Sequence, residues 1–111
     1  MSERRKQTVK AIPGFGDVTC YRDVDGVHSN VPQRIVYHSP DGFEWGYGGS
    51  GPSDFALNIL SVFIGQEMAY LYHQDFKWKF ISGMPHEGGT IKRETILEWI
   101  KENVKEQDDE N

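Results

Sequence analysis

Residues 41–64 decide the fold, and they read DGFEWGYGGSGPSDFALNILSVFI. Phe43, Trp45 and Tyr47 alternate with other residues, and this period of two predicts a strand with its aromatic side chains on one face. Glycines then recur up to Pro52, a residue well suited to the first turn of a helix. The residues that follow are apolar almost all round, as is typical of a buried helix. The stretch therefore predicts a strand, a tight glycine loop and a core helix.

The core helix is expected to end at Gly65, because glycine commonly closes helices. Asn58 and Ser61 interrupt its apolar surface and form a narrow polar stripe. With Gly51 as the N-cap, Asp54 is expected at the third helical position. There its carboxylate would bind free N–H groups and meet the positive end of the helix dipole.

Upstream of the core helix, the pattern predicts two hairpins. Val18–Asp23 has the β-branched and aromatic residues of a strand, and the Asp-Gly pair at 25–26 indicates an antiparallel return over Val27–Asn30. Arg34–Ser39 is expected to pair with Phe43–Tyr47 across a turn that contains Pro, Asp and Gly. The N-terminal half therefore predicts a small antiparallel sheet.

Downstream of the core helix, the pattern predicts two more helices, over residues 67–81 and 93–105, with residues 90–92 as a short strand or the entry to the last helix. Three residues of the second helix are expected to lie outward: Gln74, Lys77 and Trp78. Strands followed by helices indicate an α+β fold, in which about three helices pack on the small antiparallel sheet.

Length and charge indicate one domain flanked by polar ends. The 111 residues fit a single α+β domain over residues 11–105, after a flexible basic arm at 1–10 and before a disordered acidic tail at 106–111. A net charge of −5 argues against nucleic acid as the main partner, because that binding depends largely on Lys and Arg.

Cysteine and histidine usage indicates a cytoplasmic protein without a metal or cofactor. Cys20 is alone, so an intrachain disulfide is excluded and a reducing compartment is expected. The four histidines show no paired ligand spacing, so we expect no metal site. No apolar run is long enough to span a membrane and the N-terminus lacks a signal peptide, so we expect no membrane partner.

The glycine loop imitates two phosphate-binding motifs. Residues 46–51 match G-x-G-x-x-G, but a dinucleotide site also needs a parallel strand after the next helix, where residues 67–81 look helical. Residues 46–53 have the spacing of a P-loop, but Pro52 stands where the phosphate-binding lysine belongs.

The loop sequence also partly matches the nucleophile-elbow motif G-x-S-x-G. Ser50 would be the nucleophile, with His38 or His73 as its base, yet Pro52 replaces the last glycine. The chain is also far shorter than the usual hydrolase fold. We therefore expect no catalytic residue, although a small enzyme built on this loop stays an alternative.

Two non-catalytic interpretations of the loop are left. In the favoured structural interpretation, the glycines give clearance where a tight crossover enters a buried helix. In the other, exposed amides at the helix N-terminus form a cradle for an anionic or planar ligand, which Asp54 would weaken by competing for the same amides. The candidate ligand-binding residues are His38, Trp45, Tyr47, Gly48, Gly49, Ser50, Gly51 and Ser53.

The signature HSPxGFxWGYGGSGP at residues 38–52, followed by Ala56 and Leu57, resembles a family of small uncharacterised domains from bacteria and their phages. With Phe76, Lys77 and the helix around Ile96–Ile100, the likeness spans about residues 21–100. Phe55 departs from the smaller aliphatic residue of the family, which concerns packing. The family has no assigned activity, so the resemblance implies no catalytic residue. It implies a phage or mobile-element accessory setting.

These observations favour a non-enzymatic binding module that uses residues 46–53 as its contact surface. Its expected partner is an unknown protein or a small anionic ligand, and the alternative is a nucleotide-binding or anion-binding protein or a small enzyme on the same loop. Trp78 and Trp99 are expected in the core or at its rim. Exposure of both on one face would favour a protein interface.

Overall fold

The computed structural model describes residues 8–105. Most of the expected N-terminal arm and the whole acidic tail lie outside the described residues. Within the arm, Val9 is hydrogen-bonded to Gln66: its N–H donates to the Gln66 side-chain oxygen at 2.8 Å, and its carbonyl accepts the Gln66 N–H at 2.8 Å.

In the described part of the chain the sheet contains three antiparallel strands, β1 (Val18–Asp23), β2 (Gly26–Ser29) and β3 (Gly88–Ile91), in the order β2-β1-β3. The predicted first hairpin is confirmed, but its two-residue turn is Val24 and Asp25, and the return strand begins at Gly26, one residue earlier than expected. The third strand is β3, which pairs with β1 from Val18↔Ile91 to Tyr21↔Gly88. Residues 90–92 were expected to form a short strand or the entry to the last helix; the strand does form, but it begins two residues earlier, at Gly88.

Between residues 8 and 105, three α-helices follow the hairpin: α1 (Ser50–Ile64), α2 (Gln66–Phe76) and α3 (Arg93–Asn103). Gly65 separates α1 from α2 with a φ of +85°, a conformation in which glycine is favoured. One π-helical turn, Lys77–Ile81, extends α2. The α+β fold class with three helices is confirmed.

The predicted second hairpin is wrong, because neither Arg34–Ser39 nor Phe43–Tyr47 forms a strand. The polar stripe of α1 replaces the missing strand partner. The Asn58 side-chain oxygen accepts the N–H groups of Arg34 at 2.8 Å and Ile35 at 2.9 Å, and its amide donates to the Ile35 carbonyl at 2.9 Å. Backbone groups that a sheet ladder would use are therefore bound by a helix side chain.

Asp54 continues the same stripe one turn earlier. Its carboxylate accepts the N–H groups of Tyr37 at 3.1 Å, His38 at 2.8 Å and Ser39 at 2.9 Å. Charge-assisted bonds to backbone N–H groups are among the stronger hydrogen bonds in proteins. Residues 34–39 are consequently an irregular segment fixed to α1.

The core surrounds α1, in which every residue from Gly51 to Val62 is buried. Phe43 stacks on Phe55 of this helix with ring centroids 4.8 Å apart, and Trp45 packs against the same ring at a tilt, with centroids 5.8 Å apart. Other buried apolar residues come from β1, β3, α2 and α3, including Val18, Phe76, Ile81, Ile91, Ile96 and Trp99. Within residues 8–105, every helix is too short or too polar to span a membrane.

Candidate functional site

The glycine loop links a buried aromatic segment to the N-terminus of α1. Gly46 has a φ of +90° and donates its N–H to the Ile81 carbonyl at 3.0 Å. This turn separates Tyr47 from Trp45: Trp45 is 2% exposed, whereas Tyr47 is 51% exposed. The predicted common face of the aromatic residues is therefore wrong at Tyr47.

Close packing explains three of the loop glycines. A Cβ atom at Gly48 would clash with the ring of Trp78, and one at Gly49 would clash with the ring of Tyr47. A Cβ atom at Gly51 would lie 2.8 Å from the Cβ atom of Glu44. The glycines thus allow two aromatic rings and one side-chain stem to lie directly on the backbone.

α1 begins earlier than expected, and its first turn has no side-chain cap. Gly49 is the N-cap, and no acidic residue lies in the first turn. Asp54 is consequently the fifth helical residue, so its expected capping role at the third position is wrong. Its carboxylate is instead held by the backbone of residues 37–39. The positive end of the α1 dipole therefore has no carboxylate of its own first turn.

Lys77 lies beside this helix N-terminus, and it is a residue that the sequence pattern placed outward. It is 5% exposed, and its Nζ lies 3.5 Å from the carbonyl oxygen of Gly48 and 4.3 Å from the ring centroid of Trp78. Within residues 8–105, no carboxylate lies within salt-bridge distance of this ammonium group. An ammonium group carries three donors, and the Gly48 carbonyl engages one of them at the limit of hydrogen-bonding distance.

A histidine pair adjoins Lys77 along α2. His73 Nδ1 donates to the Tyr70 carbonyl at 2.8 Å, so in the neutral ring Nε2 accepts the Nε2–H of His38 at 2.9 Å. Burial lowers the pKa of His73, and the nearby His38 and Lys77 lower it further, against the opposite effects of the Tyr70 carbonyl and Asp54. The pair therefore favours a neutral His73.

The predicted ligand-binding residues divide into an exposed and a buried group. Tyr47, Gly48 and Ser50 are exposed, and His38 and Gly49 are half-buried. Trp45, Gly51 and Ser53 are buried, and the Ser53 hydroxyl lies 3.4 Å from the side-chain oxygen of Gln74. The structure thus brings Tyr47, Gly48, Gly49 and Ser50 together at the surface and places Trp45 in the core.

Around the loop, the described residues lack the structural elements that the three partly matched motifs require: a parallel strand, a phosphate-binding lysine after the second glycine and a histidine base. All three strands in the described residues are antiparallel, so the parallel strand of a dinucleotide site is missing there. In the same part of the chain, Ser50 makes no hydrogen bond to a histidine, and His38 is bound to His73. No three His, Cys, Asp or Glu residues between 8 and 105 are placed to hold a metal ion.

Sequence reasoning missed Lys77 because a lone charged residue on an amphipathic helix is usually solvated. Two signals were present. Lys77 lies four residues after His73, and therefore on the same helix face, and it stands among the aromatic residues Phe76, Trp78 and Phe80. Trp78 lies outward on the helix as expected, since it is 61% exposed, and it is therefore not a core residue, whereas Trp99 is 8% exposed and does lie in the core. The two tryptophans therefore do not form one exposed face.

Together, these features define a small α+β domain with a glycine loop, a buried lysine and an exposed tryptophan at the N-terminus of its core helix. The model of a family of unknown function, DUF6166, matches residues 14–102, and the chain belongs to this family. The expected resemblance to a family of uncharacterised domains is thereby confirmed. No curated protein and no solved structure matches the chain.

Proposed function

We propose that this protein is a non-enzymatic binding module that takes a small anionic group at the Gly46–Ser53 loop. The observation that carries the proposal is the position of Lys77. Its side chain is 5% exposed, and its ammonium group lies beside the loop without a carboxylate partner in the described part of the chain. A buried charge is costly unless an opposite charge compensates it.

The N-terminus of α1 adds positive potential at the same place. The helix is 15 residues long and has no side-chain cap, and its first turn carries no carboxylate. Pro52 has no N–H, and the Ser53 N–H donates to the Gly49 carbonyl at 3.1 Å. The N–H groups of Ser50 and Gly51 are therefore the ones at this end that can attract an anion. The helix dipole and Lys77 therefore favour the same kind of ligand.

The competition expected from Asp54 does not apply in this geometry. Asp54 is 0% exposed, and its carboxylate accepts three backbone N–H groups from residues 37–39. Its charge is therefore directed toward that segment. This arrangement removes the main argument against an anion cradle at the loop.

A small ligand fits this site better than the flat surface of a protein. The cation is recessed beneath the loop, with Trp78 and the Gly48 carbonyl beside it. A phosphate-sized group can reach a recessed cation more easily than the flat surface of a protein can.

We further propose a cytoplasmic setting, since the lone Cys20 suits a reducing compartment. A phage or mobile-element origin is also part of the proposal.

The test is a titration with inorganic phosphate and pyrophosphate, followed by calorimetry and thermal unfolding. Lys77→Met keeps the length and apolar stem of the side chain but removes its charge, and Lys79→Met makes the same change at an exposed position nearby. We expect Lys77→Met to weaken binding at least about tenfold, which corresponds to about 1.4 kcal/mol, and Lys79→Met to leave it nearly unchanged.

Lys77→Met also serves as its own folding control. Replacing a buried charge by an apolar residue is often neutral or stabilising, so the variant is expected to unfold at or above the wild-type temperature. Absence of anion binding up to about 10 mM in the wild type would overturn the proposal, because a stabilising ligand must raise the unfolding temperature as its concentration passes its Kd. Equal binding by wild type and Lys77→Met would overturn it as well.

A further inference from the structure

We infer that the anionic ligand is a mononucleotide, whose phosphate lies at Lys77 and whose base stacks on Trp78. This inference rests on the proposed anion site and adds a second contact to it. Trp78 is 61% exposed, although large aromatic side chains usually bury most of their surface. It lies next to the recessed cation, where a planar group attached to a bound phosphate can reach it.

Contacts with the loop hold the Trp78 ring in place. One part of its six-membered ring lies against Gly48, where a Cβ atom would clash with it, and the Lys77 ammonium lies 4.3 Å from the ring centroid. A ring fixed in this way has already lost rotamer freedom before a ligand binds. The loop thus presents an immobilised stacking surface beside a cation.

Charge favours a single nucleotide over a strand of nucleic acid. The protein carries a net charge of −5, whereas binding along a phosphate backbone needs several Lys or Arg residues. At the loop, Lys77 supplies one recessed cation and α1 supplies one dipole. This arrangement suits one phosphate group with one base stacked beside it.

The test compares three ligands of increasing size: inorganic phosphate, ribose 5-phosphate and adenosine 5′-monophosphate. Stacking of a base on an aromatic side chain strengthens binding by about 5- to 150-fold. We expect the adenosine compound to bind the wild type more tightly than ribose 5-phosphate by a factor in this range. Its binding should also quench the fluorescence of Trp78, since Trp45 and Trp99 are buried.

Trp78→Leu tests the stacking contact and keeps an apolar side chain over Gly48. We expect this variant to bind the adenosine compound no more tightly than ribose 5-phosphate; because the two affinities are compared within the same variant, a change at the Lys77 cation affects both equally. Tyr21→Leu is the matched control, because Tyr21 is 54% exposed on β1 and stacks on His28 rather than on the loop. It should retain the preference.

The outcomes separate this inference from the proposed function. Binding of phosphate without a preference for the adenosine compound would overturn the mononucleotide inference and leave the anion site standing. A preference that survives in Trp78→Leu would overturn it too, because the base would then stack elsewhere. Absence of binding by every ligand would overturn both proposals.

Discussion

Asn58→Leu tests whether the polar stripe of α1 fixes residues 34–39. Asn58 is 0% exposed and sits in the most buried helix of the domain. A leucine there matches the apolar surroundings, so an argument from hydrophobicity alone predicts a more stable protein. The hydrogen bonds predict the opposite.

The magnitude follows from the groups that lose their partners. The variant leaves three backbone groups unpaired: the N–H groups of Arg34 and Ile35 and the carbonyl of Ile35. Each buried polar group without a partner costs about 1–3 kcal/mol. Burial of the leucine side chain recovers about 2 kcal/mol. The Arg34 N–H is only part-buried, so the three groups together should cost about 5 kcal/mol, and we expect the free energy of unfolding to fall by about 3 kcal/mol.

Urea unfolding followed by tryptophan fluorescence measures this change. With a slope of about 1.5 kcal/mol per molar urea, the midpoint should fall by about 2 M. Asn103→Leu is the control, since Asn103 is exposed on α3 and should change stability by less than about 1 kcal/mol. A midpoint for Asn58→Leu equal to or above that of the wild type would refute the reasoning.

Three further predictions concern single positions. Burial lowers the pKa of His73, so at low pH the unfolded chain binds a proton that the native chain excludes. The free energy of unfolding should therefore fall as the pH drops below about 6.5, and urea midpoints measured across this range should fall less in His73→Gln. Gly88→Ala should lower the free energy of unfolding by about 2 kcal/mol more than Gly83→Ala does, which thermal unfolding measures. Gly88 has a φ of +111° and its added Cβ would clash with backbone, whereas the added Cβ at Gly83 would meet open space. Cys20 should react with a thiol reagent much faster in urea than in buffer, because burial raises the pKa of its thiol; equal rates would contradict this.

The predictions from sequence held where a pattern was local. The strand Val18–Asp23, the turn after it and the end of α1 at Gly65 follow from side-chain alternation, turn residues and the special conformation of glycine. Helices α2 and α3 followed from their apolar spacing to within a few residues. The glycine loop was also predicted as a tight crossover into the core helix, although the sequence did not show which side chains lie against it.

The failures have a common cause in contacts between distant residues. Residues 34–39 have a strand-like pattern, but Asn58, 23 residues beyond Ile35, binds their backbone. The candidate site depends on the same kind of contact, because Lys77 is brought to Gly48 and His73 to His38 across separations of 29 and 35 residues. Such pairings leave no periodic trace in the chain.

The sequence by itself therefore determined the fold class, the core helix and the glycine crossover, since each depends on neighbouring residues and on the conformations that they allow. Tertiary structure alone decided that the polar stripe of α1 fixes an irregular segment, that Lys77 is buried and that Trp78 lies beside it at the surface. The physical reason is that a buried polar group must find a partner, and packing decides which distant group is close enough to be that partner.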